Sequence, residues 1–472
     1  MTVILDVLGA GQHVGKSCIV VRLGGEAEAA VVMVDAGIDA GQLRLDRFPD
    51  LRTYFGLSLQ AEAVEVGQCM NQEIDALVVT HFHLDHIGFV PYITERYGYK
   101  GQVILTAPTA SMARAVLLDA ASWTQGIIAG VPEELAMPLT VKEISDCFDK
   151  VTSLPLNSSR TLKLLPNAGH AVVRLLGAGH VLGACQVMLY LSGTPRSSSV
   201  AVPGHTVLYS GDFTVETSKL LAGAQQEMGQ PVDVLLCEST YISHVREPGL
   251  RVDIDFTATV HKALDSGHKV LVPISAVGKA QEMLEVLRRE WQGQAHFPVA
   301  FAASEIFREA DRLLEVYSSW TAKNEFSLDN LVESLGNRSQ LTSDLVWGVV
   351  CPEQNHTRVQ PFTILPYRES MLCEPGPLLL FASPATLAKG PSLAALKAWA
   401  VEPNNVIVLP GYCSPETVGA LLAQGRKQLT LPDSSVLKVH AKVGSGHTSH
   451  SSALCLSLRT LTWSGSASSS VA

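Results

Sequence analysis

The chain has 472 residues, of which 47% are hydrophobic and 17% are charged, and its formal net charge is −10. This length predicts two or three domains with large cores, and the acidic balance excludes a protein that binds nucleic acid through overall positive charge. No stretch reaches the roughly 18 consecutive apolar residues of a transmembrane helix, so no membrane association is expected.

The first 215 or so residues contain short apolar runs that end in glycine or a polar residue, such as AVVMVDAG, DALVVTHF and TVLYSGDF. Such runs predict strands whose carboxyl ends bring side chains to one site, and segments such as APTASMARAVLLDAASW predict helices between them. The N-terminus lacks the regions of a secretory signal, and the nine cysteines form no CxxC pair. These features predict an intracellular protein with reduced thiols.

From about residue 232 the pattern changes to alternating strands and helices, which predicts a parallel α/β unit. We therefore predict a metal-site domain over residues 1–238 with an α/β domain, residues 239–405, inserted near its end. Residues 406–443 are predicted to return to the first domain. Residues 444–472 form a divergent segment that ends in SGSASSSVA, and this low-complexity composition predicts disorder.

Ligand-type side chains are concentrated in the stretch HFHLDH, residues 81 to 86. His81 and His83 are two residues apart after a strand, so they project to one side and can bind one ion together. Asp85 and His86 follow in the turn and can reach a second ion. Imidazole and carboxylate donors with no cysteine favour a catalytic zinc site over a structural one. The alternative is a chance coincidence of buried or surface histidines.

Three further residues are candidates for the same site. His180 lies between small residues in LLGAGHVLGACQ, and Asp212 lies at the strand end of LYSGDF, where one carboxylate could bridge two ions. Asp35 in VVMVDAGID is predicted to orient the ligands from behind. Each alone could be a core histidine or a turn aspartate. Together with HFHLDH they predict a two-metal site, which can activate water and clamp a phosphodiester.

The order of Asp35, HFHLDH, AGHVLGA, SGDF and ESTY resembles the metallo-β-lactamase/β-CASP family of RNA endonucleases. Further similar stretches are LGAGQHVGKSCIVV, DRFPD, PYITERYGY, GKAQE and LPGYCSPETVGA. The resemblance covers roughly residues 3 to 443. It is strongest to the Integrator endonucleases and next to the 73-kDa cleavage and polyadenylation endonucleases. It implies an α/β protein: a metallo-β-lactamase αββα sandwich with an inserted β-CASP α/β domain.

The resemblance also implies two zinc ions. One would be held by His81, His83 and His180, and the other by Asp85 and His86. Asp212 would bridge the two ions. Asp85 and Glu238 of ESTY are the expected catalytic carboxylates, and in the family the residue at the position of Glu238 supports a catalytic histidine. The implied reaction is hydrolysis of phosphodiester bonds in nascent or small nuclear RNA. The implied partners are RNA, an inactive paralogous subunit and other Integrator-like subunits. The implied location is the nucleus, with the cytoplasm as an alternative.

The chain departs from the family at its C-terminal motifs. The SAH-x-D and VHG motifs, whose histidines assist catalysis and complete the second zinc site, have no counterpart. Leu454 stands where a histidine is expected, and His447 and His450 are out of register. GKAQE has a lysine, Lys279, where the family has arginine. The alternatives are therefore a catalytically impaired isoform or scaffold of the same fold, and a small-molecule hydrolase, which the inserted domain disfavours.

Overall fold

A computed structural model describes residues 2–11, 15–24, 30–39, 47–123, 139–164, 170–192, 204–226, 231–240, 249–275, 277–291, 297–302, 304–322, 362–411, 413 and 417–445. Helices and strands are mixed throughout these residues, and this confirms the predicted α/β class. Most of the predicted divergent tail, with His447, His450 and Leu454, lies outside the described residues.

The first sheet has six strands: β1 (Thr2–Gly9), β2 (Cys18–Gly24), β3 (Val31–Val34), β4 (Ala76–Val78), β5 (Gln102–Leu105) and β6 (Thr152–Ser153). The strands lie side by side in chain order. The first three are antiparallel, and β3 to β6 are parallel. All three residues of β4 are buried, as expected for a central parallel strand with both faces covered.

The second sheet has five strands: β7 (Ser159–Thr161), β8 (His170–Gly177), β9 (Cys185–Ser192), β10 (His205–Tyr209) and β11 (Val234–Leu236). Their spatial order is β11-β10-β9-β8-β7. Alternate residues of β9, such as Val187 and Leu189, are buried in the core shared with the first sheet. Because side chains alternate along a strand, Tyr190 on the other face is 42% exposed.

Helices cover the outer face of the first sheet: α1 (Leu51–Tyr54), α2 (Ala63–Glu73), α3 (Leu84–Ile87), α4 (Ala107–Trp123) and α5 (Val141–Asp149). A π-helical turn, Tyr92–Arg96, follows α3. Helix α5 begins at a capping box, in which Thr140 and Glu143 satisfy each other's backbone N–H groups. Helices, first sheet and second sheet give three layers of the predicted sandwich, which we call the first lobe.

A third sheet lies in the second half of the chain: β12 (Lys269–Pro273), β13 (Phe297–Ala302), β14 (Phe362–Pro366), β15 (Leu378–Ala382), β16 (Val406–Leu409) and β19 (Lys442–Ser445). All its pairings are parallel, in the order β14-β13-β15-β12-β16-β19. Strands β17 (Gln428–Thr430) and β18 (Val436–Lys438) form a separate antiparallel pair.

The helices of this region are α6 (Gly249–Asp265), α7 (Lys279–Glu290), α8 (Ser304–Val316), α9 (Gly390–Trp399) and α10 (Val418–Ala423), with 3-10 turns at Ser318–Trp320 and Glu369–Leu372. Helices α6 and α7 pack on one face of the third sheet, and α9 and α10 pack on the other. We call this doubly wound unit the second lobe.

The structure differs from the predicted return of residues 406–443 to the first domain. Strand β16 pairs in parallel with β12, and β19 pairs with β16. All four residues of β16 are buried, so this apolar run has both faces covered within the third sheet. These two strands therefore extend the second lobe.

Helix α8 joins the two lobes. Its Phe307 belongs to the core under the third sheet, whereas Leu313 and Leu314 belong to the core of the first lobe. Next to it, the hydroxyl groups of Ser111 and Tyr317 are 2.9 Å apart. The lobes therefore share buried apolar surface as well as chain connections. Among the residues described above, no helix is both long and apolar enough to cross a bilayer.

Candidate metal centre

Four predicted ligands meet where strands of the first two sheets end. His81 and His83 follow β4, His180 follows β8 and Asp212 follows β10. Their ligand atoms all lie within 4.8 Å of one another. His81, His180 and Asp212 are at most 3% exposed. The structure therefore brings together residues that are up to 131 positions apart in sequence (212 − 81 = 131).

Small residues and hydroxyl groups hold these strand-end loops. The carbonyl oxygen of Gly183 accepts hydrogen bonds from Thr106 at 2.7 Å and from Thr109 at 3.0 Å, which fixes the loop that carries His180. Gly183 has φ +81, and a Cβ atom there would lie 2.8 Å from Pro108 and Thr106. Only glycine suits this position without a shift of the loop.

The donor atoms of the first group converge at metal-like separations. His83 Nδ1 is 3.0 Å from His81 Nε2 and 3.2 Å from His180 Nε2. Asp212 Oδ2 is 3.8 Å from His81 Nε2 and 3.7 Å from His180 Nε2. Donors bound tetrahedrally to one zinc at about 2.0–2.1 Å lie roughly 3.4 Å apart. The observed spacings are close to that value, so this donor set fits a zinc ion.

A second group adjoins the first through Asp212. His86 Nε2 is 3.4 Å from Asp212 Oδ1 and 3.7 Å from Asp85 Oδ2. The two oxygens of Asp212 thus face different groups of donors, as a bridging carboxylate requires. Within the described residues, His86 Nε2 and both Asp212 oxygens are buried without a hydrogen-bond partner. Buried polar atoms are normally paired, so bound metal would account for these three.

Asp35 lies behind the candidate ligands. It has φ +60 and is fully buried. Its Oδ2 accepts a hydrogen bond from His86 Nδ1 at 2.7 Å. Its Oδ1 accepts one from the backbone N–H of Thr80, also at 2.7 Å. The hydrogen bond from His86 Nδ1 to the Asp35 carboxylate orients the His86 ring so that Nε2 faces the site.

The environment keeps two of the histidines neutral. Burial lowers the pKa of His81 well below its ordinary value, and the neighbouring histidines add to this effect. Burial also lowers the pKa of His83 to about 4. Metal binding requires the neutral imidazole. These two rings are therefore in the binding-competent state at neutral pH.

The carboxylates have different protonation behaviour. Burial raises the pKa of Asp85 to about 6, although His86 opposes the change. Burial alone would also raise the pKa of Asp212, but the adjacent His86 lowers it to about 2. For His86, burial acts against the charged form, and Asp212, Asp35 and Asp85 outweigh it, so its pKa is raised. Asp212 is thus ionised at neutral pH.

Glu238 lies beside the centre. Its Oε1 accepts a hydrogen bond from the backbone N–H of Phe213 at 3.4 Å, and its own N–H donates to Ser210 Oγ at 3.1 Å. Burial raises the pKa of Glu238 to about 7, and the charge of Asp212 adds to this. A carboxyl group that titrates near neutral pH can both hold and release a proton.

A cavity of about 220 Å³ opens onto the centre between the two lobes. His83 and His180 line one side, and Ser275 and Lys279 of the second lobe line the other. Most of the remaining lining is apolar, with side chains such as Phe82. This arrangement places the candidate ligands at the wall of a cleft between lobes.

One residue of the site was not predicted from the sequence. Thr80 is 1% exposed, and its hydroxyl oxygen lies 3.0 Å from His81 Nδ1 and 2.9 Å from Asp35 Oδ2. Its position directly before the first histidine was the only signal available. A threonine at a strand end is ordinary, so that signal was too weak to interpret.

The fold and this site define a class of protein. The profile of the "Metallo-beta-lactamase superfamily" matches residues 13–131, and that of the "Beta-Casp domain" matches residues 280–422. The chain therefore carries a metallo-β-lactamase domain and a β-CASP domain, as the sequence motifs predicted. The β-CASP match extends beyond residue 405, in agreement with the place of β16 in the second lobe.

Among characterised proteins, the chain is 29% identical over 436 residues to Integrator complex subunit 11 of Danio rerio, covering 92% of this chain and 63% of that protein. It is 30% identical over 450 residues to an Integrator complex subunit 11 homolog of Dictyostelium discoideum, covering 94% and 52%. It is 27% identical over 435 residues to Endoribonuclease YSH1 of Yarrowia lipolytica, covering 92% and 45%. The chain thus spans between 45% and 63% of the length of these relatives.

Proposed function

We propose that this chain is a metal-dependent hydrolase that cuts RNA internally during 3′-end processing, with zinc as its metal. The observation that carries the proposal is the donor cluster of His81, His83, His180 and Asp212 at the wall of the cleft between lobes. Similarity to an endoribonuclease and to Integrator subunits supports RNA as the substrate. The finer proposal is a phosphodiester in nascent or small nuclear RNA.

The proposed site holds two zinc ions. His81, His83 and His180 would hold the first, Asp85 and His86 the second, and Asp212 would bridge them. When bound, zinc ions supply Lewis acidity, which activates water at neutral pH and offsets charge on phosphoryl oxygens. The residues themselves keep two neutral imidazoles and an ionised Asp212 in place for this role.

Protein groups would manage the protons and the substrate. In the hydrolysis, a water oxygen attacks phosphorus, one P–O ester bond breaks, and the leaving oxygen takes up a proton. Glu238, with its pKa raised to about 7 by burial, is placed to hold such a proton. Lys279 lines the same cleft beside Glu282, 3.4 Å from it, and offers a cation for a substrate phosphate. The remaining lining around Phe82 is mostly apolar.

We propose further that the activity belongs to a nuclear complex containing an inactive paralogue and other Integrator-like subunits, with the cytoplasm as a second location. The names of the relatives support assembly in a complex. The proposed boundaries are residues 1–238 for the metallo-β-lactamase domain and 239–405 for the core of the β-CASP domain. Strands β16 and β19 are added to the β-CASP domain because they pair within its sheet.

A second candidate function is a scaffold of the same fold with reduced activity. One observation favours it: the described residues give the second ion only three donors, from Asp85, His86 and Asp212. Such a chain would bind RNA and partner subunits while cutting slowly.

The test is cleavage of an internally labelled single-stranded RNA by the full chain, after metal removal and again with added zinc. Wild type should cut only with zinc, and H83A should lose at least about 10²-fold in rate. The control is H440A, because His440 is an exposed histidine outside the site. A wild-type chain that binds RNA and zinc without cutting would favour the scaffold. Hydrolysis of small phosphodiesters without RNA binding would favour a small-molecule hydrolase.

A further inference from the structure

We propose that Thr80 is a positioning residue, which uses the Asp35 carboxylate to fix the ring tautomer of His81 before any metal arrives. The proposal rests on the metal site proposed above. Thr80 itself supplies none of the candidate metal-donor atoms and acts through His81.

The direction of each hydrogen bond follows from the chemistry of the groups. Asp35 already accepts from the Thr80 N–H at 2.7 Å and from His86 Nδ1 at 2.7 Å, so its carboxylate acts as an acceptor. The Thr80 hydroxyl lies 3.0 and 2.9 Å from its two oxygens. A hydroxyl has one hydrogen and two lone pairs. The Thr80 hydrogen therefore points to Asp35, and its lone pairs remain for another donor.

That donor is the ring of His81, because His86 Nδ1, which lies 3.4 Å from the same hydroxyl oxygen, donates to Asp35 at 2.7 Å. His81 Nδ1 is 3.0 Å from the Thr80 hydroxyl oxygen. Because the Thr80 hydrogen is engaged by Asp35, His81 Nδ1 must carry the proton. In a neutral ring the other nitrogen is then a bare acceptor. His81 Nε2 is thus left with its lone pair directed at the cluster of donors, where a cation would bind.

The opposite tautomer has a competing partner close by. His81 Nε2 lies 3.0 Å from His83 Nδ1. A proton on Nε2 would be donated to that nitrogen, and the two candidate ligands would pair with each other. Such a pair would occupy two of the positions that an ion needs. The relay from Asp35 through Thr80 therefore removes the His81 proton from this contact, and the two rings can pair only if His83 donates from its own Nδ1.

The remaining contacts of Thr80 allow the hydroxyl to be tested separately from the methyl group. Its carbonyl oxygen accepts from the backbone of Cys185 at 3.0 Å, which a side-chain change does not alter. A Cβ atom on Gly211 would lie 3.0 Å from Thr80 Cγ2, so the methyl group packs beneath the residue before Asp212. T80V keeps the shape and loses the hydroxyl, whereas T80S keeps the hydroxyl and loses the methyl group.

The first experiment uses nitrogen-15 NMR of the histidine rings in the metal-free full chain. The neutral His81 ring of wild type should carry its proton on Nδ1, and that of T80V should shift toward protonation of Nε2. T80S should resemble wild type. A wild-type His81 protonated on Nε2 would overturn the proposal, and this measurement does not depend on whether T80V folds.

The second experiment measures zinc affinity by competition with a chromophoric chelator. T80V should lose about 10–100-fold in affinity, the range for removal of a ligand-orienting partner, and T80S should stay within a few-fold of wild type. T94V is the matched control, because Thr94 is also a buried threonine and its hydroxyl bonds to the Val90 carbonyl at 3.2 Å.

Three results would contradict the proposal: wild-type affinity in T80V, an equal loss in T80S and T80V, or an equal loss in T94V. The second would assign the role to methyl packing against Gly211. Failure of the proposed function would look different, since wild type itself would then bind no zinc or cut no RNA.

Discussion

Gly37 lies directly against the backbone of Asp85. A Cβ atom on Gly37 would be 1.7 Å from the Asp85 carbonyl oxygen and 2.6 Å from the His86 nitrogen. The same carbonyl accepts a hydrogen bond from Ser17 N–H at 2.7 Å, and Gly37 N–H donates to Ser17 at 2.9 Å. The loop that carries Asp35 and the loop that carries Asp85 and His86 are thus locked together through their main chains.

We therefore expect G37A to displace the start of helix α3, with a cost of about 1–3 kcal/mol in unfolding free energy. Zinc affinity should fall by at least about tenfold, because Asp85 and His86 move with that helix. Urea denaturation of metal-free protein and chelator competition measure the two effects. G444A is the control, since a Cβ atom there meets no atom of the described residues within 4 Å. Equal zinc affinity in G37A and G444A would refute the expectation.

Metal titration should reveal two unequal sites. The first has four donors, His81, His83, His180 and Asp212, whereas the second has three within the described residues. We expect one equivalent of zinc to bind tightly and a second weakly, measured by isothermal titration of the metal-free chain. H180A should abolish the tight step and the thermal stabilisation that accompanies it, because a ligand that binds only the folded state raises its stability. H440A should titrate as wild type does, and one strong step of two equivalents would contradict the inequality.

Glu238 should make the metal-free protein less stable as pH rises. Burial raises its folded pKa to about 7, against about 4.3 in an unfolded chain. Below pH 4 both states hold the proton, and between these two values only the unfolded state releases it, so stability falls. E238Q cannot ionise, so it should gain about 1–3 kcal/mol over wild type at pH 8 and nothing at pH 4. Urea melts at both pH values with a chelator present measure this. A pH-independent difference would contradict it.

The ion pair of Arg96 and Glu143 should give the opposite pH dependence. Their side chains are bonded at 2.7 and 3.1 Å. Burial works against the ionised form, but Arg96 and the capping Thr140 lower the pKa of Glu143 to about 2. The stabilisation is therefore full above the unfolded value of about 4.3 and is lost as pH falls toward 2.

E143Q should accordingly cost about 1–2 kcal/mol at pH 7, since it removes a capping contact and a charge-assisted pair, and clearly less at pH 3. Urea melts at pH 7, 4 and 3 follow the change. The matched control is E402Q, because Glu402 is exposed and far from Arg96 in sequence. A loss in E143Q that stays constant from pH 7 to pH 3 would show that the charge is not the cause.

The sequence predicted the composition of the site better than its surroundings. His81, His83, His180 and Asp212 could be inferred because each follows an apolar run, and parallel or neighbouring strands end at a common edge. Thr80 and Gly37 could not, because their roles depend on contacts between distant backbones. The assignment of residues 406–443 to the first domain was wrong for strands β16 and β19, which join the third sheet. A buried apolar run such as VIVL does not specify which sheet it joins.

The chain order of the sheets bears on how the protein is made. All candidate ligands precede residue 213, and the first two sheets end at Leu236, whereas the third sheet is finished only when Lys442–Ser445 pairs with β16. Domains tend to fold from the N-terminus during synthesis. On the ribosome, all the candidate ligands are therefore synthesised before the wall that faces them. For that interval the nascent chain holds the candidate ligands but still lacks α8, whose Leu313 and Leu314 complete the core of the first lobe, and lacks the cleft between the lobes.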